Sequence, residues 1–342
     1  RIKMTLSRVL LLTALIALAA CEKEKAPTGT DPVASLPTVE APLQDVDDPY
    51  AAAEQIKLDE RAPQEWDDLH NVYKLSDNII SGGEPHGEEA LRRISEMGVK
   101  TIVSVDGKVP DQATAAKYGL RYVHVPIHYS GISEDEMLRL TKAFRELEGP
   151  FFVHCFHGKH RGPAGAAVGR LALDGISRGQ ALAEMRQWCG TAAHYPGLYG
   201  VIATGEVPAA DATEAYAWDF PAAHTLSDFR EAMVDSARCW DNLKLLFANE
   251  WKPDPEHPDL DAVNESDKLA QFMGLCAEMD MVRDKPEDFQ GWMAASAVGS
   301  KALQESLNKL AGGDAAALEA ANAAFRKLGK DCKSCHGQYR NN

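Results

Sequence analysis

Apolar and polar positions fall into distinct regimes along the chain. Val9 to Leu18 is an unbroken apolar run behind a short positive start, Met4 to Arg8. From Glu22 to about Arg61 the chain is polar, acidic and rich in Pro and Ala, with no period that would bury one face of a helix or strand. Between about Trp66 and Thr204, short β-branched runs alternate with helical stretches, the signature of an α/β layer structure. Thr101 to Val105, Arg121 to Ile127 (after a Tyr118-Gly119 break) and Phe151-Phe152-Val153 read as buried strands. Gly162 to Asp174, rich in Ala, Gly and Leu, reads as a helix packed tightly on that sheet.

From His224 onward the period becomes helical. Leu226, Phe229, Met233, Trp240, Leu243 and Phe247 recur at steps of three, four and seven. The run Pro253, Pro255, Pro258 ends this helix. A second helix is predicted from about Val263 to Val282, and a third from about Glu287 to Leu310 with Phe289, Trp292, Ala295, Gly299, Ala302 and Leu303 inward. Gly312-Gly313 breaks it, and a fourth carries Leu318, Ala321, Phe325, Leu328 and Cys332. The expected fold is therefore multidomain: an α/β domain with a central sheet flanked by helices, followed by an all-α four-helix bundle. Expected boundaries are 1–21 for a leader, 22–65 for a flexible tether, 66–204 for the α/β domain, 205–223 for a linker and 224–342 for the bundle.

The formal charge of −15 argues against a nucleic-acid partner, which demands a basic face. A local pocket can still oppose that field and bind an anion. The Val9–Leu18 run is short for a membrane span, and Leu18-Ala19-Ala20-Cys21 places small residues ahead of a cysteine. That end resembles the bacterial lipobox. The resemblance implies a signal peptide, lipidation of Cys21 and a periplasmic lipoprotein anchored in the inner or outer membrane, Glu22 leaving the membrane open.

Cys332-Lys333-Ser334-Cys335-His336 lies on the last predicted helix. Two thiols one turn apart can add to the two vinyl groups of a haem, and the adjacent imidazole can ligate the iron. Zinc would want a second ligand pair of similar spacing, and a thioredoxin-like dithiol belongs at the start of a helix after a strand. With the following Gly337-Gln338-Tyr339-Arg340, near the end of a four-helix bundle, the segment from about His224 to Asn342 resembles the cytochrome c′ and cytochrome c556 family. The resemblance implies one covalently bound haem c held at Cys332 and Cys335, His336 as proximal iron ligand, electron transfer or binding of NO or CO, and a homodimer. In that family the distal position is either vacant or filled by a first-helix Met. Met233 is the candidate here, with a plain core methionine as the alternative.

The third strand runs straight into His154-Cys155-Phe156-His157-Gly158-Lys159-His160-Arg161. A cysteine at a strand end, a short loop and a helix start together form a nest of backbone N–H groups that stabilises negative charge, whether thiolate or phosphate dianion. An arginine six residues on can grip phosphate oxygens. Phe156 to Arg161 are thus the candidate phosphate-binding residues, with Cys155 the candidate nucleophile.

Asn71-Val72-Tyr73-Lys74-Leu75-Ser76-Asp77-Asn78, Ser81-Gly82-Gly83-Glu84-Pro85, Gly98-Val99-Lys100-Thr101-Ile102-Val103 and this loop resemble the dual-specificity branch of the protein tyrosine phosphatases over most of residues 69–190. The nearest likeness is to the plant-and-fungal atypical type and small bacterial phosphatases. The resemblance implies hydrolysis of a phosphorylated small molecule or phosphoprotein through a cysteinyl-phosphate on Cys155, with Arg161 as clamp and extra positive charge from Lys159 and His160. Two positions depart from the pattern. Gly162 stands where the family has a hydroxyl residue that helps expel the cysteine. The loop Pro126-Ile127-His128-Tyr129-Ser130-Gly131 has no carboxylate before Glu134 and Asp135 to serve as leaving-group acid. Asp106 is the preferred general acid and His128 the second. Two readings stay open: a haem-linked phosphatase, or a cytochrome whose phosphatase-like domain only binds an anion or partner. The histidines at 124, 128, 154, 157 and 160 also raise a metal site. Cys189, Cys239 and Cys276 have no evident role beyond a disulfide of undetermined pairing.

Overall fold

A computed structural model describes residues 36–44, 46–224, 228–253 and 260–340. The leader, the Cys21 lipidation site and the start of the expected tether lie outside the described residues, as do Leu226, Pro255 and Pro258. Strands β1 (Gln64–Trp66), β2 (Leu69–Lys74), β3 (Ile79–Gly82), β4 (Thr101–Ser104), β5 (Arg121–His124) and β6 (Phe151–His154) form one six-stranded sheet of order β1-β2-β3-β6-β4-β5. β1, β2 and β3 pair antiparallel, whereas β3, β6, β4 and β5 run parallel.

Helices cover both faces of the sheet, which is why its central strands are apolar on both sides. Ile80, Ile102, Tyr122 and Phe152 pack toward α2 (Gly87–Glu96) and α3 (Gln112–Lys117). Their neighbours Ile79, Val103, Val123, Phe151 and Val153 pack toward α4 (Glu134–Glu146) and α5 (Arg161–Gly169). This is the period of two in action, each fully buried side chain contributing about 1.5–3 kcal/mol. α5 is buried along its whole length and continues as a π-helical turn to Asp174. Small residues permit that: a Cβ on Gly165 would lie 3.0 Å from Val105 Cγ1, and one on Gly169 would lie 2.7 Å from Ile79 Cδ1.

The expected tether is corrected over its second half. A short helix α1 (Pro49–Ala52) forms there, and Val39, Leu43, Val46 and Tyr50 pack on the α/β core. Leu43 N–H donates to Ala203 O at 2.9 Å, Arg178 Nε donates to Glu40 O and Ala41 O at 3.1 and 3.0 Å, and the Arg186 guanidinium sits 3.7 Å over the Tyr50 ring. A polar segment without periodicity is held by its backbone carbonyls, which leave no mark in the residue pattern. The receiving elements are α6 (Arg178–Ala183) and α7 (Pro196–Thr204). The expected linker 205–223 likewise carries α8 (Ala210–Ala215), and Lys142 Nζ donates to Thr213 O at 2.7 Å while Trp218 and Phe220 pack on the core.

The C-terminal bundle consists of α9 (Phe229–Ala248), α10 (Ala262–Glu278), a one-turn α11 (Asp280–Arg283), α12 (Glu287–Ala311) and α13 (Ala317–Tyr339). Its long helices alternate in direction, as the contacts between Asn242 and Glu265, Asp267 and Gln304, and Phe289 and Tyr339 establish. Phe325 anchors the core, stacked at 4.4 Å on both Trp240 and Phe247. The inward stripe of α12 is Phe289, Met293, Ser296, Ser300, Leu303 and Leu307, rotated from the expected one, so Ala302 faces solvent. Leu318, expected inside, is exposed. No described helix is long and apolar enough to cross a membrane.

Candidate functional site

The loop from Cys155 to Arg161 links β6 to α5. Its carbonyls are turned outward by partners elsewhere in the fold. Phe156 O accepts from Glu84 N–H at 2.9 Å, Gly158 O from Asn71 Nδ2 at 2.8 Å, and Lys159 O from Thr191 Oγ1 at 2.6 Å. Because a trans peptide points its N–H opposite its C=O, the N–H groups of His157, Lys159 and His160 turn toward the inside of the loop. Gly158 has φ +69°, and a Cβ there would lie 2.4 Å from the Gly82 and Gly83 backbone, so this bend demands glycine. Cys155 sits beneath the loop, 2% exposed.

Arg161 opens α5 and is buried. Its Nη2 donates to Asp106 Oδ2 at 2.5 Å, and its guanidinium lies 4.6 Å over the Tyr129 ring. Arg161 Nε is buried with no hydrogen-bond partner among the described residues. Asp106 Oδ2 also accepts from Phe156 N–H at 3.2 Å, and Oδ1 from Lys108 N–H at 3.0 Å. Burial works against the Asp106 charge, but Arg161 beside it, then Lys268, hold its carboxyl well below the usual carboxylate range. In this arrangement Asp106 is paired with Arg161, in place of the protonated carboxyl that the general-acid expectation requires. Its place is that of an ion-pair partner that orients the arginine.

His128, the second acid candidate, accepts at Nε2 from Arg238 Nη1 at 3.0 Å and is lowered by burial and then by the Arg238 charge. In this arrangement Nε2 carries no proton to give. Asp135 pairs with Arg139 at 2.7 Å and accepts from Tyr216 Oη.

His160 is corrected as a source of positive charge. Burial, with His157 and Arg161 nearby, pushes it down to about 3, and its Nδ1 accepts from Ala192 N–H at 3.3 Å. Lys159 points to solvent. Burial likewise pushes His154 to about 3, and its Nε2 pairs with Tyr122 Oη at 3.2 Å. His124 has both ring nitrogens committed, Nε2 to Asp106 O at 2.7 Å and Nδ1 to His224 N–H at 2.9 Å. Among the described residues no cluster of three or more His, Cys, Asp or Glu is placed to hold a metal. Cys189, Cys239 and Cys276 are buried free thiols.

A Cβ at Gly162 would lie 3.5 Å from Cys155 Sγ and 3.2 Å from Cys155 N. The family hydroxyl would therefore stand against the nucleophile, and here that side is bare.

The bundle reaches this site, and the sequence carried no sign of it. Lys108 Nζ bridges Glu84 and Asp267, both at 3.1 Å, and Gln271 Oε1 accepts from Val109 N–H at 2.9 Å. Lys268, next to Asp267 on α10, is buried and donates to Glu265 Oε1 at 2.5 Å. A cavity of about 810 Å³ lies between the halves, with Arg161, His128 and Trp218 on one wall and Arg238, Glu265 and Lys268 on the other.

On α13, Cys335 is buried and Cys332 half-buried against the bundle core, in one apolar cluster with Phe229, Met233, Phe289 and Trp292. His336 is exposed on the adjoining face. Two free thiols one turn apart toward the core, an imidazole beside them and a thioether in the same cluster form a donor set that fits a c-type haem.

Residues 279–340 match the family model for cytochrome C′. The chain is 29% identical over 119 residues to the dual specificity protein phosphatase TpbA of Pseudomonas aeruginosa, covering 34% of this chain and 54% of that protein. It is 26% identical over 96 residues to a beta-lactamase hydrolase-like protein of Xylella fastidiosa, 25% of this chain and 22% of that one. The chain thus spans about half the length of the phosphatase relatives it matches. The crystal structure of P. aeruginosa TpbA is 25% identical with a TM-score of 0.36, covering 41% of this chain and 88% of that one. The catalytic core of the PP-IP phosphatase SIW14 of S. cerevisiae is 18% identical with a TM-score of 0.34, covering 42% of this chain and 86% of that one. The sequence match carries the assignment: the chain joins a region homologous to the dual-specificity phosphatases to a C-terminal region that matches cytochrome C′.

Proposed function

We propose that this chain is an exported, lipid-anchored phosphohydrolase with a resident c-type haem. The observation that carries the phosphatase reading is the loop itself: inward N–H groups and a buried Arg161 with a spare Nε–H converge above Cys155. Cys155 sulfur forms a bond to phosphorus as the ester P–O bond breaks. Water then cleaves the cysteinyl-phosphate, returning the thiolate and releasing inorganic phosphate. Arg161 and the loop N–H groups stabilise the charge on the equatorial oxygens, and Asp106 keeps Arg161 in position. Cys332 and Cys335 would hold the haem, with His336 as an iron ligand and Met233 as the candidate for a second. When bound, the haem supplies a one-electron couple or a site for a diatomic gas. The apolar run Val9–Leu18 and Cys21 support export and lipidation, hence a periplasm-facing location.

Purified haem-loaded protein should hydrolyse p-nitrophenyl phosphate, and Cys155→Ser should abolish turnover. Folded protein without turnover would leave a second reading, favoured by bare Gly162 and by the engagement of Asp106 and His128 with arginines. In it the loop binds an anion and the haem domain alone is chemically active.

A further inference from the structure

The bundle walls one side of the phosphate-loop region, where Phe156 and His157 are half-buried and Lys159 is exposed. The first turns of α10, from Asn264 to Lys268, are buried to between 0% and 8% exposure, and this stretch meets the loop that follows β4: Lys268 approaches Gly107, and Asp267 pairs with Lys108. What remains is the cavity of about 810 Å³, a size suited to a small molecule. Among the residues that line it are two buried cations from opposite halves, Arg161 and Lys268.

We propose that the bundle completes the substrate pocket, with Lys268 of α10 a second cationic contact for the phosphoryl group of a small phosphomonoester enclosed between the two halves. This rests on the phosphate-loop reading above. Both cations hold donors in reserve. Arg161 gives one N–H to Asp106 and keeps Nε free, while Lys268 has three N–H bonds and gives one to Glu265 at 2.5 Å. The two carboxylates balance the two cations, so neither charge is buried alone. Arg238, reaching across from α9 to His128, places a further guanidinium on the cavity wall. α10 stands on one side of this site, where a long peptide would meet it.

The test uses full-length haem-loaded Cys155→Ser protein, which separates binding from turnover. Calorimetry with p-nitrophenyl phosphate and with a phosphotyrosyl decapeptide should give a decapeptide affinity at least about tenfold weaker. Lys268→Met combined with Glu265→Gln removes both charges without orphaning either, and should weaken p-nitrophenyl phosphate about tenfold, the loss of one charge-assisted hydrogen bond. Lys268→Arg should restore most of the affinity. Far-UV circular dichroism and the haem spectrum report whether each variant is folded. Unchanged or tighter binding in the double variant overturns the proposal, the latter identifying α10 as an inhibitory plug. Equal affinity for the decapeptide overturns the enclosed pocket. Wild-type turnover measured in parallel judges the hydrolase reading separately. Lys268-dependent binding without wild-type turnover sinks hydrolysis and leaves this pocket standing, while unchanged kinetics when Lys268→Met and Glu265→Gln are placed in the protein that retains Cys155 sink the pocket alone.

Discussion

At the residue scale, the chemistry turns on what surrounds Cys155. Asp106, the expected leaving-group acid, is held by Arg161, and Asp135 by Arg139. Turnover should therefore fall steeply as the leaving group becomes more basic. Aryl phosphates should be hydrolysed, and phosphoserine at least about a hundredfold more slowly, the scale of a missing general acid. Comparable rates for the two in a steady-state assay would point to another of the carboxylates that line the cavity as the acid. Gly162→Ser places a hydroxyl beside Cys155 Sγ and should speed breakdown of the cysteinyl-phosphate, visible as a smaller pre-steady-state burst. The neighbour to accommodate is Cys155 N at 3.2 Å, and an unchanged burst would show that thiolate departure is not limiting.

The same residues set a pH dependence. Burial lowers His124 to about 4, and His154 and His160 to about 3, from an ordinary 6.5. The unfolded chain therefore takes up these protons first as pH falls. Their contribution to stability is full above about 6.5 and declines toward pH 4, each histidine costing about 1.4 kcal/mol per pH unit in that window. The urea midpoint should drop clearly between pH 7 and pH 5, and His124→Phe, if it packs, should flatten part of that slope.

At the scale of elements, α5 shows how the loop is kept in place. Its glycines let the helix lie directly on β3 and β6, which sets where Arg161 begins relative to Cys155. Gly165→Leu forces a branched side chain into Val105 and Val153 and should destabilise the fold by about 1–3 kcal/mol, read from the denaturant midpoint. In the bundle, Met233 lies in the same cluster as Cys332 and Cys335. If its sulfur reaches the iron, Met233→Leu converts a low-spin optical spectrum into a high-spin one that binds CO. A spectrum indifferent to the substitution makes Met233 a core residue only.

Element identity was largely legible because it is written in short-range periodicity. The strands at 101, 121 and 151 follow from continuous β-branched and apolar runs, and the four long helices from apolar spacing of three to four. β1 to β3 carried no clear alternation of their own, and β2 is half-polar, its outward side chains reaching solvent at the antiparallel edge. The segment 39–58 escaped notice because arginines from α6 and its π-helical continuation hold it through backbone oxygens, an interaction any residue type can make.

At the scale of the whole molecule, the surface between the halves is polar: Lys108 between Glu84 and Asp267, Gln271 on Val109, Arg238 on His128. Partly exposed ion pairs of this kind are modest and salt-sensitive. Lys108→Ala should loosen the bundle from the phosphate loop without unfolding either half. Faster hydrogen exchange confined to 106–109 and 264–271 would report it, and unaltered exchange would place the cohesion elsewhere. What the sequence determined by itself was local. Cys155, the loop and Arg161 follow from a strand running into a helix, and Cys332, Cys335 and His336 from positions on one helix, because neighbouring residues share a backbone geometry. Only the tertiary structure decided that Asp106 orients Arg161 from 55 residues away, and that Gln271 and Lys268 come to rest beside a loop some 162 residues earlier. Such pairings depend on how whole elements pack, and no spacing along the chain encodes them.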